Sequence, residues 1–422
     1  MSGAGIDEMV RAAGVAANAG RWQEAERLWG EVHKLKPDHP QALYALGVHA
    51  TQRRDFAAAR GFLEGAVKAA PQDMLAWLTL SAVRREVGDA TGELTAIDAA
   101  LAVDPYFLPA MLAKAQALER RGDQRGATFY YSAAVKFALP EARWPPELRP
   151  QLLRAKEIAA RHAEAFDARL LEASAVARAG LSPAQAERWR EAASIMAGRT
   201  KPYTSQCNQL QVPRLPAIPF YETAQFPWVA AIEAKTDVIR NELLNALANR
   251  KDGFKPYVAY KPGMPVNQWK ELNHSDRWAA FQLWRGGEPV AENLALCPET
   301  AKALAEVNMA EIAGLCPNAM FSSLAPHTHI PPHTGETNAR IVAHLPLIVP
   351  DNCVYRVGFE QRRWEVGKVL IFDDTIEHEA RNDSDELRVV LIFDIWNPHL
   401  APAEYEVVRS MMQTARSFGA AT

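Results

Sequence analysis

The first third of the chain repeats its apolar and small positions with a period of 34 residues. Prolines recur at positions 37, 71 and 105, and an alanine follows each of them five positions later. A small side chain at a fixed offset lets two antiparallel helices approach closely, and a proline ends a helix because it lacks an N–H donor. The pattern therefore predicts stacked helical hairpins over residues 1–140.

A 34-residue period of this kind is typical of tetratricopeptide repeats. Four units share it, although Glu93 in the third unit stands where the others have alanine. Because such arrays bind peptides or proteins on a concave face, we expect a peptide or protein partner here. The alternative is an array that only caps the following domain or forms a dimer.

A further helical stretch follows the repeats and predicts a helical linker over residues 141–200. In "LSPAQAERW", Ser182 is a candidate N-cap and Pro183 occupies the first helical position, where proline is well tolerated.

The pattern changes near Thr200. Prolines at 202, 213, 216, 219 and 227 predict extended chain, and the apolar spacing of residues 229–249 predicts one or two helices. Short β-like runs separated by turn residues then predict an antiparallel sandwich or jelly roll over residues 201–422. The predicted strands are "AAFQLW", "AMFSSL", "RIVAHLPLIV", "CVYRVGF", "VLIFDD", "EHEARN" and "LRVVLIFDIW".

Composition and charge exclude several classes of protein. The 422 residues favour two or three domains, and 48% hydrophobic with 23% charged residues is typical of a globular protein. A net charge of −3 gives no reason to expect nucleic acid or a membrane surface as partner. We expect a cytoplasmic protein, because no signal peptide or 18-residue apolar run occurs and the four cysteines lack CxxC spacing.

The candidate chemistry lies in "HTHIPPHTGETNARIVAHLPL" and in the strands that follow it. His333 and, 45 residues later, His378 lie at strand edges that can meet at a barrel mouth, where neutral imidazoles bind Fe(II) or a similar divalent metal. Arg388, ten residues further on, can hold the far carboxylate of a chelating diacid. This is the logic of the 2-oxoglutarate-dependent oxygenases, except that Gly335 stands where the third ligand, an acid, is expected.

The strings "PHTGETNARIVAHLPL", "EVGKVLIFDDTIEHEARNDS" and "LRVVLIFDIWNPHL" closely resemble the aspartyl/asparaginyl β-hydroxylase family. The resemblance covers roughly residues 203–400, and tetratricopeptide arrays also occur in that family. It implies a double-stranded β-helix (jelly-roll) oxygenase behind the all-α solenoid, in an α+β multidomain chain. It also implies an iron site with two histidines and glycine at the position of the acid.

Residue by residue, the resemblance implies that His333 and His378 bind Fe(II) and that Arg388 anchors 2-oxoglutarate. The same resemblance gives roles to four further residues. Ser322 and His344 match groups that hydrogen-bond this cosubstrate, Trp278 matches an aromatic residue lining the pocket, and Arg340 matches a basic residue on the substrate side. Val342 departs from the family, which often has a second arginine there.

The expected function is Fe(II)- and 2-oxoglutarate-dependent hydroxylation, with O₂, of the β-carbon of an Asp or Asn residue presented by the repeats. Three alternatives stay open: an oxygenase of the same fold acting on a free amino acid or small metabolite, a non-catalytic partner-binding scaffold, and a cupin-like isomerase. The sequence does not indicate the oligomeric state. We expect structural, loop or turn roles for five other candidate residues: His327, His329, His399, Asp373 and Asp374.

Overall fold

The computed structural model describes residues 3–419, and the chain divides into two compact units between Arg199 and Thr200. Eight helices of the first unit pack as four consecutive antiparallel pairs. They are α1 (Gly3–Asn18), α2 (Trp22–Leu35), α3 (Pro40–Gln52), α4 (Phe56–Ala69), α5 (Met74–Glu86), α6 (Ala90–Val103), α7 (Leu108–Arg120) and α8 (Gln124–Phe137). The predicted tetratricopeptide solenoid is confirmed.

The repeated residues explain the repeated helices. Ala42, Ala76 and Ala110 are fully buried, so the period marks the close contact between helices. Asp55, Asp89 and Asp123, again 34 residues apart, are N-caps whose carboxylates accept the backbone N–H three residues ahead. Periodic small residues and periodic caps thus specify the same helix boundaries.

Three more helices complete the first unit: α9 (Arg149–Ala173), α10 (Ala175–Arg178) and α11 (Pro183–Met196). Side chains of α9 share a core with α7 and α8 through Leu152 and Ala155. The predicted start of α11 is confirmed, because Ser182 is the N-cap, Pro183 is the first helical residue, and Ser182 and Gln185 form a reciprocal capping box. Within residues 3–419 no helix combines the length and apolarity needed to cross a membrane.

The second unit contains two antiparallel sheets and five helices. The helices are α12 (Val229–Glu233), α13 (Thr236–Asn249), α14 (Ala291–Leu294), α15 (Pro298–Ala305) and α16 (Tyr405–Ser417). The strands are β1 (Phe220–Tyr221), β2 (Lys255–Pro256), β3 (Trp278–Arg285), β4 (Glu288–Pro289), β5 (Ala319–Leu324), β6 (Thr328–His333), β7 (Arg340–Ile348), β8 (Cys353–Val357), β9 (Glu360–Arg362), β10 (Leu370–Phe372), β11 (His378–Asn382) and β12 (Arg388–Trp396).

The larger sheet has the order β1-β10-β7-β12-β5-β3-β2, with β4 beside β3, and the smaller sheet has the order β6-β11-β8-β9. All seven strands expected from the sequence are present as β3, β5, β7, β8, β10, β11 and β12. The one or two helices expected over residues 229–249 are two, α12 and α13.

The side chains of the larger sheet alternate between its two faces, one of which packs against helices and the other against the smaller sheet. Odd-numbered residues of β7 and β12, such as Ile341, Leu345 and Phe393, share a core with α13 and α15. Successive side chains of a strand point to opposite faces, so the even-numbered residues face the smaller sheet. Val342 and Val390 accordingly share a second core with β6, β8 and β11. The candidate site lies between the two sheets, on this second face.

Candidate active site

A cavity of about 670 Å³ lies between the two sheets. The even-numbered residues of β7 and β12 line its larger-sheet wall: Arg340, Val342, His344, Arg388, Ile392 and Asp394. The smaller sheet contributes His333 and His378. Residues that the sequence placed in one site therefore do line one cavity.

His333 and His378 are brought together by the pairing of β6 with β11. They are directly opposite each other in the register, and their ring centroids are 4.0 Å apart. One pair further along, Ala380 faces Ile330, so β6 carries one residue more than β11 and forms a bulge at Pro331 and Pro332. Prolines are tolerated there because β6 is the edge strand of its sheet.

The hydrogen bonds of the two imidazoles leave the same ring nitrogen available on each. His333 Nδ1 lies 2.8 Å from the Pro331 carbonyl oxygen, and His378 Nδ1 lies 3.1 Å from the Ile376 carbonyl oxygen. Because a carbonyl only accepts, each Nδ1 carries the proton and donates, and each Nε2 keeps a lone pair. Burial lowers the pKa of both imidazoles, His378 the more strongly. Two neutral imidazoles with free Nε2 atoms fit the donor set of a divalent iron site.

Gly335 follows the pair at the position where a third, acidic ligand was expected. A Cβ at this position would overlap the carboxylate of Asp374, whose backbone oxygen also accepts the Gly335 N–H at 2.8 Å. The space of an acidic side chain is therefore already filled from the loop between β10 and β11. Within residues 3–419, His333 and His378 belong to no set of three His, Cys, Asp or Glu residues whose ligand atoms all lie within 4.8 Å of one another.

Arg388 is a buried cation without a counter-ion among the described residues. It is 2% exposed, its Nη1 donates to the Ser322 carbonyl oxygen at 3.2 Å, and its guanidinium lies over the Trp364 ring at 4.8 Å. Its Nε has no hydrogen-bond partner among the described residues. Burial lowers its pKa to about 10. A buried guanidinium in this state calls for an anionic ligand, and a carboxylate of a diacid has the matching shape.

His344 lines the same cavity and has a defined tautomer. Trp364 Nε1 lies 3.2 Å from its Nδ1, and because indole is only a donor, this nitrogen accepts and Nε2 carries the proton. Burial and the Arg388 charge lower the pKa of His344 well below its usual value. The imidazole therefore stays neutral and has one N–H to donate.

Ser322 and Trp278 form the adjoining wall. Trp278 Nε1 donates to the Ser322 hydroxyl oxygen at 3.2 Å, which leaves the hydroxyl hydrogen free to donate elsewhere. The Trp278 ring is stacked with Tyr257 at 4.1 Å and lies 6.3 Å from the His333 ring.

Arg340, the predicted substrate-side cation, is buried and surrounded by acids. One terminal nitrogen donates to Asp374 at 2.6 Å, the other donates to Glu336, and Nε lies 3.6 Å from Asp394. Burial raises the pKa of the Asp374 carboxyl to about 7. Three carboxylates around one guanidinium weigh against a free aspartate side chain as its partner.

The other histidines and the first turn acid lie where structural roles were expected. His327 and His329 pair with acidic side chains, Asp385 and Glu379. Asp373 accepts the N–H and hydroxyl of Thr375 in the turn after β10. His399 lies outside the cavity, with its ring 6.1 Å from that of Tyr221.

Among the residues lining this cavity that sequence reasoning missed are Trp364, Glu336 and Asp394. Asp394 had a signal, because it is an acid at an even-numbered position of the apolar strand β12. Trp364 and Glu336 lie in connecting segments, where spacing carries no such signal.

The chain is similar to known proteins over both units. Residues 233–398 match the family described as aspartyl/asparaginyl beta-hydroxylase, and residues 16–83 match the tetratricopeptide repeat family. The chain is 37% identical over 195 residues to an ornithine lipid ester-linked acyl 2-hydroxylase of Rhizobium tropici, covering 44% of this chain and 63% of that protein.

The chain is also 34% identical over 185 residues to the aspartyl/asparaginyl beta-hydroxylase of Mus musculus, covering 43% of this chain and 23% of that protein. The aligned region thus spans less than two thirds of the length of either relative. Among solved structures it is similar to MamA, at 19% identity and a TM-score of 0.31 over 33% of this chain and 81% of that chain. A TM-score at this level carries no conclusion about function.

Proposed function

Residues 233–398 belong to the aspartyl/asparaginyl β-hydroxylase family and follow tetratricopeptide repeats, and from this premise we propose that the protein is an iron(II)- and 2-oxoglutarate-dependent dioxygenase. The observation that carries the proposal is the pairing, in one cavity, of two neutral histidines with a buried arginine that lacks a counter-ion. A structural scaffold has no physical need for an unpaired buried cation, which costs free energy.

In this proposal His333 and His378 hold the iron through Nε2, with their rings oriented by the Pro331 and Ile376 carbonyls. Iron, 2-oxoglutarate and O₂ together supply the oxidation of an unactivated C–H bond, with succinate and CO₂ as the other products.

The remaining residues bind and orient the cosubstrate. Arg388 pairs with its far carboxylate, and His344 Nε2–H and the Ser322 hydroxyl donate to its oxygens. The Trp278 ring and the apolar residues of the second core, such as Val390, exclude water from this end of the cavity. All of these groups are buried, so little reorganisation is needed when the anion binds.

The family name makes the β-carbon of an Asp or Asn residue in a polypeptide the first candidate target, presented by the repeats. Within the same proposal, the domains are residues 1–140, 141–200 and 201–422, the second unit is a jelly roll, and the location is cytoplasmic. A small molecule or lipid is the second candidate, favoured by the relative named for ornithine lipid and by Val342 in place of the second arginine.

The test begins with anaerobic addition of Fe(II) and 2-oxoglutarate, watching for the weak visible metal-to-ligand absorption. O₂ is then admitted and succinate is measured. His333→Ala is expected to lose both signals, whereas Arg388→Gln keeps iron binding and weakens 2-oxoglutarate binding at least about tenfold, as expected for loss of a buried ion pair.

His327→Ala is the matched control, because His327 is an exposed histidine paired with Asp385 outside the cavity. It is expected to behave as the wild type. Equal succinate traces from the wild type and His333→Ala would show that the protein is not an oxygenase of this kind, and would favour the scaffold alternative.

A further inference from the structure

The two buried arginines of the cavity lie at opposite ends of the β7–β12 pair. Arg340 starts β7 and faces Trp396, the last residue of β12, whereas Arg388 starts β12. His344 and Ile392 are paired midway between them. If Arg388 binds the cosubstrate, as proposed above, the Arg340 end is left for the substrate.

The Arg340 end carries a surplus of negative charge. Its single guanidinium faces Asp374, Glu336 and Asp394, and both terminal nitrogens already donate to carboxylates. Asp394 is further satisfied by the backbone and side-chain N–H groups of Asn318, at 2.7 and 3.0 Å. The other two carboxylates therefore provide the acceptor capacity that remains at this end.

One acceptor is both buried and unpartnered. Asp374 is 7% exposed and lines the cavity, yet its Oδ1 has no hydrogen-bond partner among the described residues, while Oδ2 accepts from Arg340. A buried carboxylate oxygen without a donor costs free energy, so this atom points to a ligand that donates.

Aromatic rings line the same cavity. Tyr257, Trp269 and Trp278 are all in its wall, with Trp278 stacked on Tyr257 at 4.1 Å and 5.8 Å from Trp269. Aromatic faces attract cations and gain nothing from carboxylates. Val342, on the same strand as Arg340, offers an apolar surface where the family that the chain resembles often has a second arginine.

We propose that the Arg340 end of the cavity binds an ammonium or guanidinium group of the substrate, held against Asp374 and Glu336. This inference rests on the proposed function, because it names the substrate chemistry of the same site. An aspartate side chain alone would meet two carboxylates there, whereas a cation makes charge-assisted hydrogen bonds to them.

The test uses three small probes that differ in one group: N-acetyl-lysine amide, N-acetyl-norleucine amide and N-acetyl-aspartic acid amide. Each is titrated into the full chain, both metal-free and loaded anaerobically with Fe(II) and 2-oxoglutarate. Tryptophan fluorescence and calorimetry report binding without turnover. The lysine probe is expected to bind at least about tenfold more tightly than the other two, since charge-assisted hydrogen bonds to desolvated carboxylates favour it.

Glu336→Gln removes one charge from a partly exposed position and preserves the side-chain shape. This variant is expected to bind the lysine probe at least about fivefold more weakly than the wild type, because a charged hydrogen-bond acceptor is lost. Glu365→Gln makes the same change at an exposed residue outside the cavity and should leave binding unchanged. Circular dichroism confirms that both variants fold.

The proposal is overturned if the norleucine or aspartate probe binds as tightly as the lysine probe, if no probe binds, or if Glu336→Gln keeps full affinity. Succinate formation separates this outcome from failure of the proposed function. If succinate forms but the lysine probe does not bind more tightly than the others, only the cation site is refuted. If the lysine probe binds more tightly but no condition yields succinate, only the oxygenase proposal is refuted.

The source of the cation is distinguished by two extended probes, a tripeptide with central lysine and an N-dodecanoyl-lysine amide used below its micelle concentration. Tighter binding of the tripeptide than of the small lysine probe supports the cation site with a polypeptide substrate. Tighter binding of the acyl probe supports it with a lipid-like substrate. If both extended probes bind more weakly than the small lysine probe, the site does not accept a larger substrate that carries the cation, and the proposal fails.

Discussion

At the scale of single residues, the donor that sets the tautomer of His344 is Trp364. Its indole N–H occupies His344 Nδ1, and its ring lies against the Arg388 guanidinium at 4.8 Å. Trp364→Phe keeps an aromatic face but removes the N–H, so His344 is free to place its proton on either nitrogen. We expect the KM for 2-oxoglutarate to rise about fivefold, as for loss of one hydrogen bond, with little change in kcat.

Nitrogen-15 NMR of the His344 ring measures the tautomer directly, a readout that a merely structural role of Trp364 would not change. Trp284→Phe is the matched control, because Trp284 packs on the opposite face of the larger sheet, outside the cavity. A single Nε2–H tautomer in Trp364→Phe, or an unchanged KM, would contradict the prediction.

At the scale of elements, Gly335 connects β6 to β7 against the turn between β10 and β11. Gly335→Ala forces a Cβ into the Asp374 carboxylate, which Arg340 holds in place on its other side. We expect the variant to lose about 1–3 kcal/mol of unfolding free energy, the usual cost of overpacking, as measured by chemical denaturation.

The matched substitution Gly61→Ala lies inside helix α4 with open space around the new Cβ. It should be neutral or stabilise its helix by about 0.5–1 kcal/mol, because alanine has the higher helix propensity. If Gly335→Ala is as stable as the wild type, the Asp374 carboxylate does not occupy the space beside residue 335 that an acidic side chain there would need.

The sequence predicted the repeats and the seven strands whose residues follow a pattern, and it missed five of the described strands, among them β6 at the candidate site. Seven strands alternate or are apolar throughout, and the repeats have a strict period. Strand β6 was overlooked because Pro331 and Pro332 argue against a strand, yet its edge position and bulge accommodate both. Consequently His333 was expected in the segment before β7, although it lies at the end of a strand of its own.

The candidate site shows the same division. Histidines and an arginine at strand edges carry a signal in their type and spacing, which is why His333, His378 and Arg388 were found. The charge balance around Arg340 was not predictable, because its three acids come from different segments and only the fold brings them together. A sequence names candidate partners, whereas pairing depends on distances that the sequence does not contain.

At the scale of the whole molecule, the buried histidines couple stability to pH. Burial lowers the pKa of His333, His344 and His378 below the usual 6.5, so below pH 6.5 the unfolded chain binds protons there that the native state does not. Asp374 acts in the opposite direction, because its native pKa of about 7 lets the native state hold a proton that the unfolded carboxyl, near 3.8, has released.

Proton binding to the three histidines favours the unfolded state, and proton binding to Asp374 favours the native state. The three histidines outweigh the single carboxyl, so stability falls as pH decreases. For the metal-free protein these four groups together lower the unfolding free energy as the pH falls below 6.5. Urea unfolding in chelator at several pH values measures this slope. His344→Phe should reduce the slope, and the exposed-site variant His327→Gln should keep it; equal slopes in all three proteins would refute the assignment.

The two units have separate cores, since none of the seven clusters of buried apolar residues combines residues from before and after Thr200 among those described. We therefore expect residues 200–422, expressed alone, to fold cooperatively and to bind Fe(II) and 2-oxoglutarate with the affinity of the full chain. Every residue lining the cavity lies in this segment. Circular dichroism melting and the anaerobic metal-to-ligand absorption measure the two properties.

The same fragment separates the role of the repeats from the chemistry. If the repeats present a polypeptide, the fragment should keep slow, substrate-independent succinate formation and binding of the small lysine probe, and lose turnover of any polypeptide substrate of the full chain. If the substrate is small, turnover should survive the deletion, because the cavity alone recognises it. A fragment that unfolds, or that fails to bind 2-oxoglutarate, would show that the first unit supports the site itself and that the separate cores do not fold independently.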